Sequence, residues 1–379
     1  MTNDSPVYKT PDQDISSTGY VPVEAIIYSY YIKYEELWKL SEQVFASSNS
    51  DVLDIYIDFY GMIRSFYNRS LTGVENMYTS MVLNLAAHLR HFYMSRYRVR
   101  TNIYIVFTTN SINITLTKVP EWNMTDTVNV MMSPQRDKVI GWNREMLKLL
   151  CPYFHNVYYL EGTVDPALMI YNRIMRNRQK ANCPVMILTK DTFAWQIPSL
   201  LPEVAVFRPR KTHTGDTSFA VNQYNVIEQW RRHVKKTELF VESFLHPSML
   251  SLYIAMTSYR ERGLKSYYSP KDTLTIINRL LSEGKIKNGY NYPLNISAAL
   301  QEITKATPSP PGDPYFFVRN SMLERYMDID LSYMYSLYSF KPEAKDDSMY
   351  VQKFDMRSVM QINDEFFREN PINIIHLNE

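Results

Sequence analysis

Four short, strongly apolar runs occur between residues 52 and 189, and segments with apolar residues at helical spacing alternate with them. The runs are Leu53–Asp58, Asn102–Phe107, Asn156–Leu160 and Pro184–Thr189. Runs of this length are typical of buried strands, and helices between them act as the crossover connections of parallel strands. The sequence therefore predicts an α/β fold with a mostly parallel central sheet and flanking helices.

Composition divides the rest of the chain. Residues 1–20 are polar and are predicted to form a flexible arm, residues 21–222 the α/β domain, and residues 223–306 a mainly helical region. The proline-rich stretch Thr307–Gly312 begins a linker and docking tail over residues 307–379. The arm does not resemble a secretory signal, and no run approaches the roughly 20 apolar residues of a membrane span, so we expect an intracellular protein.

Several common kinds of site are disfavoured. The chain has only 10 glycines and no glycine-rich phosphate loop, which argues against the usual nucleotide-binding motifs. The two cysteines, Cys151 and Cys183, form neither a disulfide framework nor a zinc spacing. The net charge of +2 does not indicate a partner, so a nucleic-acid surface would have to be a local basic patch.

Oxygen-bearing side chains stand where each predicted strand ends, which is where ligands collect in open α/β sheets. In chain order they are Asp58, then Thr108 and Thr109, then Glu161 and Asp165, then Asp191. Carboxylates from neighbouring strands are what a Mg²⁺ site for phosphodiester hydrolysis requires. The alternative is that these acids cap the helices that follow by accepting backbone N–H bonds.

Three fragments occur in an order that suggests a family. They are Ile57–Tyr67, a strand ending in Asp58 and leading into a helix; Ile187–Gln196, a strand ending near Asp191; and Leu250–Leu274, two helices around a basic turn. Over residues 52–290 this order resembles the flap endonuclease and 5′→3′ exonuclease family, within the PIN-like fold. The resemblance implies a metal site at the strand ends and a helix–turn–helix clamp for duplex DNA.

The chain departs from that family at most of the acidic positions. Thr108 stands where the family has a metal-binding Asp, Phe193 replaces the second acid of the Asp-x-Asp pair, and Val164, Pro166 and Ala167 occupy the places of a Glu and an Asp pair. The resemblance leaves Asp58 and Asp191 as matched acids, with Asp165 one step from a matched place.

These three are vestigial catalytic candidates. We expect no cofactor, or a single weakly bound Mg²⁺ at Asp58 and Asp191, because two metal ions need more carboxylates.

Basic residues form two candidate nucleic-acid surfaces. The residues in the clamp-like segment are Arg260, Arg262, Lys265 and Lys271. The others, Arg96, Arg98 and Arg100, are interleaved with tyrosines and suit a phosphate backbone and stacked bases. Cations near a helix C-terminus are also favoured by the helix dipole, which is the structural alternative.

Three functions remain open. The chain is expected to be a catalytically inactive, nuclease-like structural or nucleic-acid-associated component; its 30 Tyr and 20 Met resemble the style of viral, especially phage, proteins. In this case, duplex or flapped DNA and protein partners at a tyrosine-rich surface are expected. An active, divergent Mg²⁺-dependent 5′ nuclease using Asp58, Asp165 and Asp191 is the second alternative. A pure assembly protein without nucleic acid is the third.

Overall fold

A computed structural model of the chain describes residues 50–59, 77–108, 134–162, 164–178, 183–189, 191–208, 219–233, 245–257 and 267–287, together with residues 330 and 332. The strands in this part are β1 (Val52–Asp58), β2 (Arg100–Thr108), β3 (Val157–Gly162), β4 (Val185–Leu188), β5 (Val204–Arg208) and β6 (Phe219–Val221). The α-helices are α1 (Met77–Tyr97), α2 (Pro134–Leu150), α3 (Pro166–Arg178), α4 (Gln196–Leu200), α5 (Val226–His233), α6 (Leu250–Met256) and α7 (Pro270–Ser282). Short 3₁₀ turns span Cys151–Tyr153, Thr192–Trp195 and Pro247–Met249.

The strands form one six-stranded sheet in the order β3-β2-β1-β4-β5-β6. Strands β1 to β5 are parallel, and β6 pairs antiparallel with β5 at one edge. The predicted mixed α/β fold with a mostly parallel sheet is therefore confirmed. Strands β5 and β6 were not predicted from the sequence. The ends of β1 to β5 define one edge of the sheet, called here the carboxyl rim.

Alternate side chains of each parallel strand enter two hydrophobic clusters, one on each face of the sheet. Tyr56 and Ile187 pack in the cluster that contains α3, which defines the α3 face. Ile57 and Leu188 pack with α1 and α2, which defines the α1 face. Because both faces are covered, β4 reads as a continuous apolar run and β1 is apolar apart from its two aspartates and Tyr56, and this is why both were recognisable in the sequence.

The helical region that follows β6 packs on the α3 face. Buried residues of α5, α6 and α7, among them Trp230, Ile254 and Ile277, belong to the same cluster as Tyr56 and Ile187. Helix α7 begins with the Ser269 side chain accepting the backbone N–H of Asp272, followed by Pro270 in the first turn. Both features are typical of helix starts.

Several predicted features lie outside the described residues. They are the arm over residues 1–20, the helix over residues 62–67, the turn between α6 and α7 with Arg260, Arg262 and Lys265, the linker Thr307–Gly312, and nearly all of the tail. Of the helices that are described, none combines the length and apolar character needed to cross a membrane.

Candidate functional site

Asp58 and Asp191 are connected at the carboxyl rim through Thr189. Asp58 ends β1, Thr189 follows β4, and these two strands are adjacent and parallel. The Thr189 hydroxyl donates to Oδ2 of Asp58 at 2.6 Å, and the Thr189 hydroxyl oxygen accepts the backbone N–H of Asp191 at 3.0 Å. Asp58 is 2% exposed, so its carboxylate is a buried acceptor with a strong partner. The structure thus brings these two predicted residues together, with a hydroxyl between them.

The carboxylate of Asp191 caps the turn that follows it. Its Oδ1 accepts the backbone N–H of Phe193 at 3.0 Å, which begins the 3₁₀ helix Thr192–Trp195. Phe193, at the place of the family's second acid, is 3% exposed and packs in the α3-face cluster. The chain therefore uses these two positions for a helix start and for the core.

Asp165 has the same role at the start of α3. Its Oδ1 accepts the backbone N–H of Ala167 at 2.9 Å, and Pro166 occupies the first helical position. The hydroxyl of Thr108, at the end of β2, donates to the Val164 carbonyl at 2.7 Å and holds this loop against the sheet. The cap alternative is thus the arrangement observed for Asp165 as well as for Asp191.

Glu161 reaches the same rim on the other face of the sheet. It is the register partner of Phe107, which belongs to the α1-face cluster, whereas Asp58 is in phase with Tyr56 on the α3 face. Two strand spacings also separate β3 from β1, which is about 10 Å. The strand pleat therefore keeps Glu161 away from Asp58, and the expected gathering of strand-end acids does not include it.

Two cations of α2 bind the Glu161 carboxylate. Arg144 Nε lies 2.5 Å from Oε1, and Lys148 Nζ lies 3.0 Å from Oε2. Burial acts to lower the pKa of Arg144, but the charge of Glu161 and its hydrogen bond outweigh burial and leave that pKa raised. The Tyr159 hydroxyl donates to Oε2 at 3.3 Å, and burial followed by the Glu161 charge raises the pKa of Tyr159. Neither cation was singled out from the sequence; the signal was their spacing of four on one helix.

In the described part of the chain, no three His, Cys, Asp or Glu side chains are grouped closely enough to hold a metal ion. Asp58 and Asp191 each use one carboxylate oxygen in the hydrogen bonds given above. These two are the candidate carboxylates that the rim brings together, and two carboxylates do not form the cluster that two Mg²⁺ ions require.

The candidate residues Arg96, Arg98 and Arg100 lie at the opposite end of the sheet. Strand β2 begins at Arg100 and ends at Thr108, so about 26 Å of extended chain separates the two ends. Arg98, at φ 55°, ends α1 in a left-handed conformation, and its backbone N–H donates to the Met94 carbonyl. Arg100 forms an ion pair of 2.6 Å with Asp51, and the Arg96 guanidinium lies over the Phe92 ring, 6.0 Å from its centre. These residues cannot act on a phosphate that is held at the carboxyl rim.

Lys271 is the one member of the clamp-like basic set that the described part of the chain includes. It is exposed in the first turn of α7, one position after Pro270. Its position is compatible with contact to a nucleic-acid backbone.

A buried polar network on the α3 face was not predicted. The Asn177 side chain donates to Oδ2 of Asp54 at 3.1 Å, to the Tyr56 hydroxyl at 3.3 Å and to the Tyr104 hydroxyl at 3.2 Å. The Asn102 amide donates to Oδ1 of Asp54 at 2.8 Å. Burial raises the pKa of Asp54, although both amides oppose the shift. The alternation of polar residues at 54, 56 and 58 in β1 was the available signal.

The tyrosines of this network form a stack across three strands. Tyr56, Tyr104 and Tyr158 are register partners on β1, β2 and β3, and their ring centroids lie 4.6 and 5.0 Å apart. The Arg173 guanidinium of α3 lies over the Tyr104 ring at 5.6 Å. Burial, followed by the nearby Asp54 charge, raises the pKa of Tyr104 to about 12. The network therefore stabilises the packing of α3 on the sheet through the contacts of Asn177 and Arg173.

No protein-family profile and no curated protein matches the sequence. Solved structures similar to the chain include the bacteriophage T5 flap endonuclease in a pseudo-enzyme–product complex with DNA and metal ions, which is 13% identical over 78% of this chain and 94% of that one, with a TM-score of 0.46. A structure of the T5 5′-exonuclease with bound zinc ions is 11% identical over 86% and 100% of the two chains, with a TM-score of 0.45.

The catalytic core of Rad2 in complex with DNA substrate is 9% identical over 88% and 93%, with a TM-score of 0.36. At identities this low, the function of the chain has to be judged from its own side chains.

Proposed function

We propose that this chain is a non-catalytic relative of the 5′ nucleases, serving as a structural or nucleic-acid-associated component of an intracellular, viral assembly. One observation carries the proposal. The acids at the carboxyl rim, where a 5′ nuclease would bind metal, are used in the contacts of the fold itself.

The chemistry of phosphodiester hydrolysis explains why these contacts matter. Two divalent ions must be held about 3.5–4 Å apart by several carboxylates, so that they stabilise the attacking and leaving oxygens. Here Asp165 and Asp191 accept backbone N–H groups, and Glu161 is ion-paired on the other face. Without the second ion, several kcal/mol of transition-state stabilisation is lost, and each 1.36 kcal/mol is tenfold in rate.

The Asp58–Thr189–Asp191 arrangement supports at most one weakly held Mg²⁺. Such an ion would neutralise charge on a bound phosphate group. The residues of the chain would orient that phosphate without providing a clamp for the leaving group. We therefore propose that Asp58 and Asp191 mainly stabilise the fold, and that binding a single Mg²⁺ ion is at most their secondary role.

Exposed cations support association with nucleic acid. Arg96 and Arg98 are exposed at the amino-terminal end of the sheet, and Lys271 is exposed at the start of α7. Protein contact is supported by two tyrosines on the surface, Tyr224 and Tyr267, which are 66% and 40% exposed. Exposed aromatic side chains supply much of the binding energy at protein interfaces.

Incubation of the purified protein with 5′-flap and nicked duplex DNA in Mg²⁺ or Mn²⁺ tests the proposal. We expect no cleavage above that of Asp58→Ala and Asp191→Ala, which control for contaminating nuclease. We also expect binding at low salt that weakens steeply as salt is added. Metal-dependent cleavage that both variants abolish would establish the divergent nuclease instead. Undetectable binding at low salt would favour the pure assembly protein.

A further inference from the structure

We propose that Arg144 and Lys148 form a binding site for a nucleic-acid phosphate, and that Glu161 occupies this site as an internal competitor. The ligand class rests on the proposed association with nucleic acid; the site itself rests on geometry. It lies on the α1 face of the sheet, away from Asp58 and Asp191. A phosphate would replace the Glu161 carboxylate between the two cations.

The two cations converge because they are four residues apart on α2, and residues at this spacing share one face of a helix. Their nitrogens contact different oxygens of one carboxylate, at 2.5 and 3.0 Å. A phosphate group offers the same pattern of adjacent oxygens, and guanidinium and ammonium groups are its usual protein ligands. The pair is therefore already spaced for a tetrahedral oxyanion.

The exposed fractions of the three side chains indicate how a ligand would reach the site. The Glu161 side chain is 10% exposed, whereas those of Arg144 and Lys148 are 38% and 20% exposed. The two cations are thus more exposed than the carboxylate that they contact, although the Arg144 Nε atom itself is buried, so a phosphate would reach the pair from the solvent-exposed parts of the two side chains. Glu145, 69% exposed, lies 3.7 Å from Lys148 and is a second acid near the pair.

Helix α2 holds the pair in place. The Thr79 hydroxyl of α1 donates to the Asn143 side chain at 2.6 Å in a buried contact, next to Arg144 in sequence. Leu147, between the two cations, is fully buried in the α1-face cluster. A site on an anchored helix loses little conformational freedom on binding, which favours a fixed phosphate position.

Glu161→Gln is the variant that tests the competition. Glutamine keeps an acceptor oxygen for Arg144 but removes the charge that competes with phosphate. We expect a labelled duplex oligonucleotide to bind roughly three- to tenfold more tightly at low salt. The plot of log K against log salt should steepen by about 0.9 for each cation that gains a phosphate contact.

Glu283→Gln is the matched control. Glu283 also contacts one arginine and one lysine, Arg279 at 3.9 Å and Lys285 at 2.9 Å, but it is 40% exposed at the end of α7. Both variants remove one negative charge from a cation pair, so a general charge effect would appear in both. We expect the gain only in Glu161→Gln.

The cations themselves are tested in the Glu161→Gln background, where no buried carboxylate is left without its partners. Adding Arg144→Gln and Lys148→Gln should return affinity and salt slope to the wild-type values or below. On the wild-type protein, the oligonucleotide should also change the modification of Lys148 by an amine-reactive reagent more than that of Lys285, as read by mass spectrometry.

Equal gains in Glu161→Gln and Glu283→Gln, or no gain in either, would overturn the proposed competition while leaving nucleic-acid association intact. The absence of binding in the wild type and in Glu161→Gln at low salt would overturn both proposals.

Discussion

The hydroxyl of Thr189 lies 2.6 Å from Oδ2 of Asp58 and joins the ends of two adjacent parallel strands. The Thr189 hydroxyl oxygen also accepts the Asp191 backbone N–H, so this one side chain forms hydrogen bonds with the last residue of β1 and with the loop after β4. A buried carboxylate with such a partner contributes to the fold whether or not it binds metal. The rim of the sheet can therefore be tested through stability as well as activity.

Replacing Thr189 by valine should destabilise the protein more than replacing its partner Asp58 by the uncharged asparagine. Thr189→Val leaves the buried Asp58 carboxylate without this donor and the Asp191 N–H without this acceptor, at a cost of about 1–3 kcal/mol. Asp58→Asn keeps an acceptor oxygen for the hydroxyl and should cost less than about 1 kcal/mol. Urea unfolding of both variants measures the difference. A larger loss in Asp58→Asn would show that the charge itself has a stabilising partner.

The caps at Asp165 and Asp191 make a second prediction. Asp165→Ala and Asp191→Ala should each lower the free energy of unfolding by about 0.5–2 kcal/mol. The Asn or Ser variants at the same positions can still cap the helix, so they should lose much less. Thermal unfolding with and without Mg²⁺ is the measurement. If Mg²⁺ raised the Tm of the wild type strongly but not that of Asp191→Asn, metal binding would be the main role of this carboxylate.

The sequence predicts β1 to β4 because each is largely buried on both faces and reads as a mainly apolar run. Strand β5, Val204–Arg208, also follows this rule, but it has only five residues and no long helical pattern follows it in the sequence. Strand β6 has only three residues. Strands this short give little periodicity to detect.

The site was predicted only as far as chain position allows. Asp58, Asp165 and Asp191 do lie at the ends of elements, as the apolar runs indicate. Which face Glu161 occupies depends on the exact register of β3 against β2, since a shift of one residue moves every side chain to the other face. The ion pairs of Glu161 with Arg144 and Lys148 depend in addition on how α2 packs, which no local pattern in the sequence encodes.

The pH dependence of stability should reveal Asp54. Burial raises its folded-state pKa above the ordinary value of 3.8, so between these two values the folded state binds more protons than the unfolded chain. The contribution of Asp54 is therefore present in full below 3.8 and is lost as the pH rises through the raised pKa. Asp54→Asn removes this loss, so its unfolding free energy should fall less than that of the wild type over this window.

Urea unfolding in steps upward from pH 3.8 measures this difference. Asp51→Asn is the control, because Asp51 is an exposed carboxylate at the start of the same strand. Parallel pH profiles for the wild type and Asp54→Asn would contradict the prediction, since they would mean that the Asn102 and Asn177 amides fully offset the burial.

Nucleic-acid contacts at the two ends of the described fold can be separated by salt dependence. Each phosphate contact to duplex DNA contributes about 0.9 to the slope of log K against log salt, so losing one cation should reduce the slope by about that amount. Arg96→Gln and Arg98→Gln test the amino-terminal end of the sheet, and Lys271→Gln tests the start of α7. Arg100→Gln is the comparison variant, because Arg100 is also exposed at this end of the sheet and its guanidinium is ion-paired with Asp51.

If the slope falls only in Lys271→Gln, the DNA lies along the helical region, since the arginines are beyond the far end of β2. If it falls only in Arg96→Gln and Arg98→Gln, a duplex binds at the end of the sheet opposite Asp58. Slopes unchanged in these two variants and in Lys271→Gln would exclude the three exposed cations as the phosphate-binding surface.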